Sequence, residues 1–131
     1  YDLSLAVAKA IQDFDPEIIL LGLSGSQSIK AAQDIGLPCA KEVFADRGYM
    51  PDGSLMPRSM EGAMIKDENE AIERVLRMVL ENKVTAADGN DIDIIPESVC
   101  VHGDNEKALE FVTKIKAALE KEGIEICPMA E

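Results

Sequence analysis

Tryptophan is absent from the 131 residues, and tyrosine and phenylalanine contribute only two and three. Whatever core this chain builds is therefore mainly aliphatic. Positive charge is scarce as well: 13 Lys and Arg face 25 Asp and Glu, a net charge of −12. A field of that sign repels nucleic acid and anionic membrane surfaces, so neither is expected as a partner. No apolar run approaches the ~20 residues that a membrane-spanning helix needs. Cysteine is limited to Cys39, Cys100 and Cys127, far apart and odd in number, with no CxxC or Cys/His spacing of a zinc site. Cys39 and Cys100 lie in apolar runs, where a thiol behaves as a small hydrophobe. A disulfide framework is not expected, and a reducing cytoplasm is. Histidine occurs once, at His102.

What is present is enough for one domain: 131 residues, 47% of them hydrophobic. Leu3, Leu5, Ala6, Val7, Ala10, Ile11 and Phe14 recur at helical spacing, which predicts a helix over residues 2–14. Asp15-Pro16 stops it. The continuous apolar run of residues 17–21 predicts a strand buried on both faces. Gly22 to Gly25 read as a turn, with Ser26 capping a helix that ends near Gly36. Residues 39–44 form the next strand, followed by a polar loop from Ala45 to Ser59. Asp67-Glu68-Asn69-Glu70 resembles a capping box, before a helix with Ile72, Val75, Leu76, Val79 and Leu80 on one face. Asp88-Gly89-Asn90 predicts a hairpin. Val99 to Val101 are the last strand, and residues 105–122 the last helix, with Leu109, Val112, Ile115, Ala118 and Leu119 inward. Gly123 ends it.

Alternation of strands and helices in this order predicts an α/β fold with parallel strands. Ligands of such sheets gather beyond the carboxyl ends of the strands. Here those ends are Gly22 to Ser26, Phe44-Ala45-Asp46-Arg47 and His102-Gly103-Asp104. The order Ser24, Asp46, His102 matches an α/β-hydrolase triad, but the last glycine of the G-x-S-x-G elbow is Ser26 here. A strand-to-helix turn with a serine cap is the simpler reading, and a helix N-terminus there also suits an anion. Asp46-Arg47 either positions a polar substrate or pairs with neighbouring helices. The polar residues that follow, Tyr49, Asp52, Arg58 and Ser59, favour a working loop over a solvated excursion. Arg58 is suited to clamping a carboxylate or phosphate. His102 at a strand end is suited to proton transfer near neutral pH, or is a satisfied core residue. Asp104 caps the last helix whatever else it does. Asp88, Asp91 and Asp93 lack the spacing of an EF-hand and read as an ordinary turn.

The run Glu42-Val43-Phe44-Ala45-Asp46-Arg47-Gly48-Tyr49, then Asp52-Gly53-Ser54-Leu55 and Pro57-Arg58-Ser59, resembles the EVFADRxYxxDGxLxxR signature of the LamB/YcsF family. Gly62-Ala63-Met64-Ile65, Val99 to Asp104 and Leu21 to Ser26 resemble further stretches of the same family. The motifs are long, ordered and correctly spaced, and cover nearly all of this chain but only the C-terminal half of a family member. The family's DLNCDLGE, GFHAGDP and GAHPGYPD motifs, from its N-terminal half, are not in this sequence. Together with the start at Tyr1, without an initiator Met, this implies a piece of a longer protein. Residues 1–131 are thus expected to be the C-terminal portion of a single irregular (β/α) barrel domain, similar to the polysaccharide deacetylases.

The resemblance implies an activity. Family members serve in the bacterial 5-oxoprolinase, which opens the lactam of 5-oxoproline (pyroglutamate) to L-glutamate with ATP hydrolysis, alongside 5-oxoprolinase subunits B and C. Under it, Asp46 and His102 are the expected catalytic residues. Arg47, Tyr49, Arg58 and Asp104 are the expected substrate-binding ones. ATP is the expected cofactor, and the N-terminal half of the barrel and subunits B and C are the expected partners. A divalent metal is conceivable by analogy with the deacetylases, but one His and scattered Asp residues supply no ligand set. The rival readings are a metal-dependent deacetylase or sugar-amide hydrolase on the same barrel, and a non-catalytic binding fragment. The fragment alone is expected to be inactive.

Overall fold

The structure, a computed structural model, describes residues 1–103 and 108–129. Its elements follow the predicted order: α1 (Asp2–Phe14), β1 (Leu20–Leu23), α2 (Gln27–Ile35), β2 (Cys39–Phe44), α3 (Glu68–Glu81), β3 (Lys83–Thr85), β4 (Asp91–Asp93), β5 (Ser98–Cys100) and α4 (Ala108–Lys121). β1, β2 and β5 form a parallel sheet in that spatial order, and β3 and β4 an antiparallel hairpin.

Local chemistry sets most of the boundaries. Ser26 caps α2, its side chain accepting from Ile29 N at 3.4 Å, and Gly36 ends α2 in the left-handed conformation at φ 73°. Asp67 caps α3, its Oδ1 accepting from Glu70 N at 2.9 Å. β1 begins three residues later than predicted. Asp15 Oδ1 accepts from Glu17 N at 2.9 Å and Asp15 O from Ile18 N at 3.3 Å, so residues 17 and 18 belong to a turn. Nor is β1 buried on both faces, since Leu21 is 44% exposed.

Three apolar clusters hold the elements together. Ala8 of α1 packs with Ala32 and Leu37. Val43 of β2 packs with Tyr49, Met78, Val84 and Ile94, joining the sheet to α3 and the hairpin. Ala71 and Val75 of α3 meet Phe111, Ile115 and Leu119 of α4. The inward stripe of α4 is therefore Phe111, Ile115 and Leu119, at i, i+4 and i+8. Leu109 and Val112, expected inside, are exposed, and so is Leu80 on α3.

The segment between β2 and α3 is more organised than a polar loop. Isolated bridges join Arg47 to Met64 and Tyr49 to Leu55. Gly48 N donates to Ala63 O, Met56 N to Gly48 O and Ile65 N to Asp46 O. Residues 45–66 thus fold back as a hairpin-like arm that ends at the α3 N-terminus.

Candidate functional site

Parallel pairing of β2 with β5 sets Phe44 opposite Cys100, and Ala45 N continues the ladder to Cys100 O. Two residues beyond the end of each strand lie Asp46, in the turn that follows β2, and His102, so both reach the same end of the sheet. They meet. His102 Nδ1 is 2.8 Å from Asp46 Oδ2 and 3.1 Å from Oδ1. The Phe44 ring stacks on the imidazole, with centroids 5.9 Å apart and planes at 29°. One face and one nitrogen of His102 are thus held. With Nδ1–H given to the carboxylate, Nε2 is the nitrogen left for a proton.

Asp46 and His102 line a cavity of about 470 Å³ together with Arg58, Lys66, Asp67 and Glu68. Met64, Ile65, Val101 and Phe111 provide its apolar surface. The volume suits a small polar metabolite. Arg58 and Lys66 supply positive charge in a molecule that is otherwise strongly acidic. Glu68 is engaged by Lys114 Nζ at 2.7 Å, and Asp67 by its cap on α3.

The other expected residues fall elsewhere. Arg47 is not among the cavity-lining residues: it is 7% exposed, with Nε donating to Ala63 O at 3.2 Å and Nη2 to Met56 O at 2.7 Å. Tyr49 is fully buried, and its hydroxyl accepts from Phe44 N at 2.9 Å. Burial pushes the Tyr49 phenol up, partly opposed by that hydrogen bond. Both side chains are buried in the arm, with their polar atoms bonded to main-chain groups. The density of polar residues after β2 draws attention to them, but a buried guanidinium or phenol serves main-chain groups equally well. Asp104 lies outside the described residues.

Sequence reasoning misses Lys66 and Asp67 as cavity residues. Their signal is position, directly after Gly62-Ala63-Met64-Ile65, which returns the arm to the end of the sheet. Ser24 does not join His102. It is 6% exposed, its Oγ accepts from Ile95 N at 3.0 Å, and it lines a separate cavity of about 170 Å³ beside Asp52 and Asp93. The hydrolase triad is therefore not assembled.

Among the described residues no group of three or more His, Cys, Asp or Glu is placed to hold a metal ion. Asp46 and His102 offer two donors, too few for a catalytic site of three protein ligands. For the phosphates of ATP the described cavity offers Arg58 and Lys66, and no glycine-rich cradle. Cys39, Cys100 and Cys127 are all free thiols. No helix among the described residues is long and apolar enough to cross a membrane.

Known proteins resemble this chain in sequence and in fold. The A subunit of 5-oxoprolinase from Clostridium beijerinckii is 58% identical over 127 residues, which are 97% of this chain and 50% of that protein. Its counterpart from Campylobacter jejuni subsp. doylei is 56% identical over 128 residues, 98% of this chain and 50% of its own. The chain thus spans about half the length of the curated relatives it matches. Among solved structures, the lactam utilization protein from Thermus thermophilus superimposes with a TM-score of 0.84 at 39% identity, covering 94% of this chain and 49% of that one. The parallel strands and helices described above accordingly match about half of that structure. The model of the LamB/YcsF family matches residues 1–131, and over its whole length the chain belongs to that family.

Proposed function

We propose that this chain provides one wall of the active site of a 5-oxoprolinase, which opens the lactam of 5-oxoproline to L-glutamate with hydrolysis of ATP. The observation that carries the proposal is the His102–Asp46 pair at the end of two adjacent parallel strands, lining a cavity with Arg58 and Lys66.

A lactam carbonyl is a poor electrophile, and transfer of a phosphoryl group to its oxygen activates the carbon. Attack by water on that carbon and rupture of the ring C–N bond, the water's protons passing to the nitrogen, free the amine and leave the side-chain carboxyl as an acyl phosphate. A second water hydrolyses that acyl phosphate to L-glutamate and phosphate. In this scheme Asp46 accepts from Nδ1–H of His102 and leaves Nε2 to take the proton of the attacking water. Arg58, with Lys66 beside it, holds the substrate carboxylate or the phosphoryl oxygens. The acidic field of the molecule makes those two cations the natural anchor for an anion. The residues from outside this segment that complete the barrel, and subunits B and C, supply the rest. The free cysteines fit a cytoplasmic location.

The test is turnover of 5-oxoproline by the full-length protein with subunits B and C. ATP-dependent release of glutamate, with kcat sharply reduced in a folded His102→Ala variant and KM for 5-oxoproline raised in a folded Arg58→Ala variant, is the expected result. Amide hydrolysis that proceeds without ATP and without those subunits would move the assignment to a deacetylase or sugar-amide hydrolase.

A further inference from the structure

Arg47 adjoins Asp46 in sequence yet turns away from the cavity that Asp46 lines. We infer that Arg47 is a positioning residue: by pinning both limbs of the arm 45–66, it sets Arg58 across from the His102–Asp46 pair. The inference rests on the active-site reading above.

The two carbonyls that Arg47 holds flank Arg58 in sequence. Met56 precedes it by two residues and Ala63 follows it by five, and the fork of one guanidinium joins them at 2.7 and 3.2 Å. Main-chain rungs run beside this clamp, Gly48 N to Ala63 O at 3.0 Å and Met56 N to Gly48 O at 2.9 Å. From α3, Arg74 Nη2 donates to the carbonyl of Arg47 at 3.4 Å. The clamp therefore connects the sheet end, both limbs of the arm and the helix whose N-terminus borders the cavity.

Its composition is unfavourable to bury. Among the described residues neither Arg47 nor Arg74 has a carboxylate in ion-pair distance, and Arg74 Nε is buried without a hydrogen-bond partner. A buried charge satisfied by carbonyls alone carries a large desolvation penalty, and apolar packing would close the same loop without it. What the guanidinium adds is geometry: a planar fork that meets two acceptors at fixed spacing, which neither lysine nor an apolar side chain reproduces. Rigid placement of a charged side chain is what a substrate anchor on an arm of this length requires.

The experiment is a double-mutant cycle in the full-length protein with subunits B and C, using Arg47→Lys and Arg58→Ala. Arg47→Lys should raise KM for 5-oxoproline about tenfold and leave kcat within about twofold, the signature of lost binding rather than lost chemistry. In the Arg58→Ala background the same change should alter KM by less than about twofold, because its effect passes through Arg58. Equal KM effects in both backgrounds would overturn the inference. A second readout needs no turnover: trypsin should cut after Arg58 about tenfold faster in Arg47→Lys than in the parent. An unchanged rate would overturn it too. If Arg58→Ala leaves KM untouched, the anchor role proposed for Arg58 fails, while the trypsin rate still decides whether Arg47 holds the arm. Should Arg47→Lys not fold, Arg47→Gln takes its place, and failure of both to fold would make Arg47 a determinant of the fold rather than of the site.

Discussion

His102 and Asp46 stand 56 residues apart in sequence and 2.8 Å apart in space. Two neighbouring parallel strands, in a register that pairs Phe44 with Cys100, bring them together. The carboxylate fixes which imidazole nitrogen carries the proton, and Phe44 fixes the plane of the ring. A general base needs both, because its efficiency depends on protonation state and on aim.

Replacing Asp46 by Asn should therefore lower kcat by about 10²–10⁴-fold, within the range of general acid–base catalysis. The amide can donate to Nδ1, which favours the tautomer with its proton on Nε2 and removes the free base. KM should change little. His102→Ala should cost a similar factor, and the double variant no more than either single one, as for groups that act as a unit. Under the proposed 5-oxoprolinase function, steady-state kinetics of the full-length protein with subunits B and C decide it, and full turnover in either single variant would remove the pair from the mechanism.

Ser24 tests the rival triad. Its Oγ accepts from Ile95 N, linking the end of β1 to the segment after the hairpin. Ser24→Ala leaves that N–H without its partner, a cost of about 1–3 kcal/mol. The urea midpoint should fall, while turnover per folded molecule stays at the parent level. A folded Ser24→Ala protein without activity would reinstate a serine nucleophile.

Tyr49 couples the arm to pH. Burial raises its pKa above the ordinary 10.0, so the folded protein holds the phenolic proton more tightly than the unfolded chain does. That contribution is complete below the unfolded pKa and drains away as pH climbs through the folded value. Urea midpoints of the parent should thus fall further between pH 8 and pH 11 than those of Tyr49→Phe. At pH 8 the variant should be less stable by about 1–3 kcal/mol, since Phe44 N loses its acceptor. Equal alkaline losses in both proteins would show that the phenol carries no pH dependence.

Caps and strand ends were legible because their chemistry is local. Ser26, Gly36 and Asp67 each act within four residues of themselves, and Asp46 and His102 reach the same end of the sheet once the strands they follow are parallel. Three features were not legible, for different reasons. Asp15 competes for the main chain of residues 17 and 18 through its own side chain and carbonyl, which an apolar run does not reveal. On α4 two overlapping stripes share Ile115 and Leu119, and only the position of α3 selects Phe111 over Leu109 and Val112. Arg47 and Tyr49 look like surface residues by type. Their partners are the carbonyls of Met56 and Ala63 and the N–H of Phe44, and main-chain groups carry no signature in sequence.

The apolar residues left outside make the final prediction. Leu3 and Phe14 on α1 are 80% and 85% exposed, and Leu21 on β1 is 44% exposed. Among the described residues β1 pairs only with β2, so its other edge offers free N–H and C=O groups. An open edge beside exposed aliphatic and aromatic side chains invites pairing with another chain. Residues 1–131 expressed alone should accordingly form oligomers at micromolar concentration by size-exclusion chromatography with light scattering. Leu3→Lys with Phe14→Lys should shift the population towards monomer without unfolding it, because neither side chain belongs to the buried clusters. A strictly monomeric parent at about 100 μM would mean that the edge and the α1 face are self-protected, contrary to the exposure seen here.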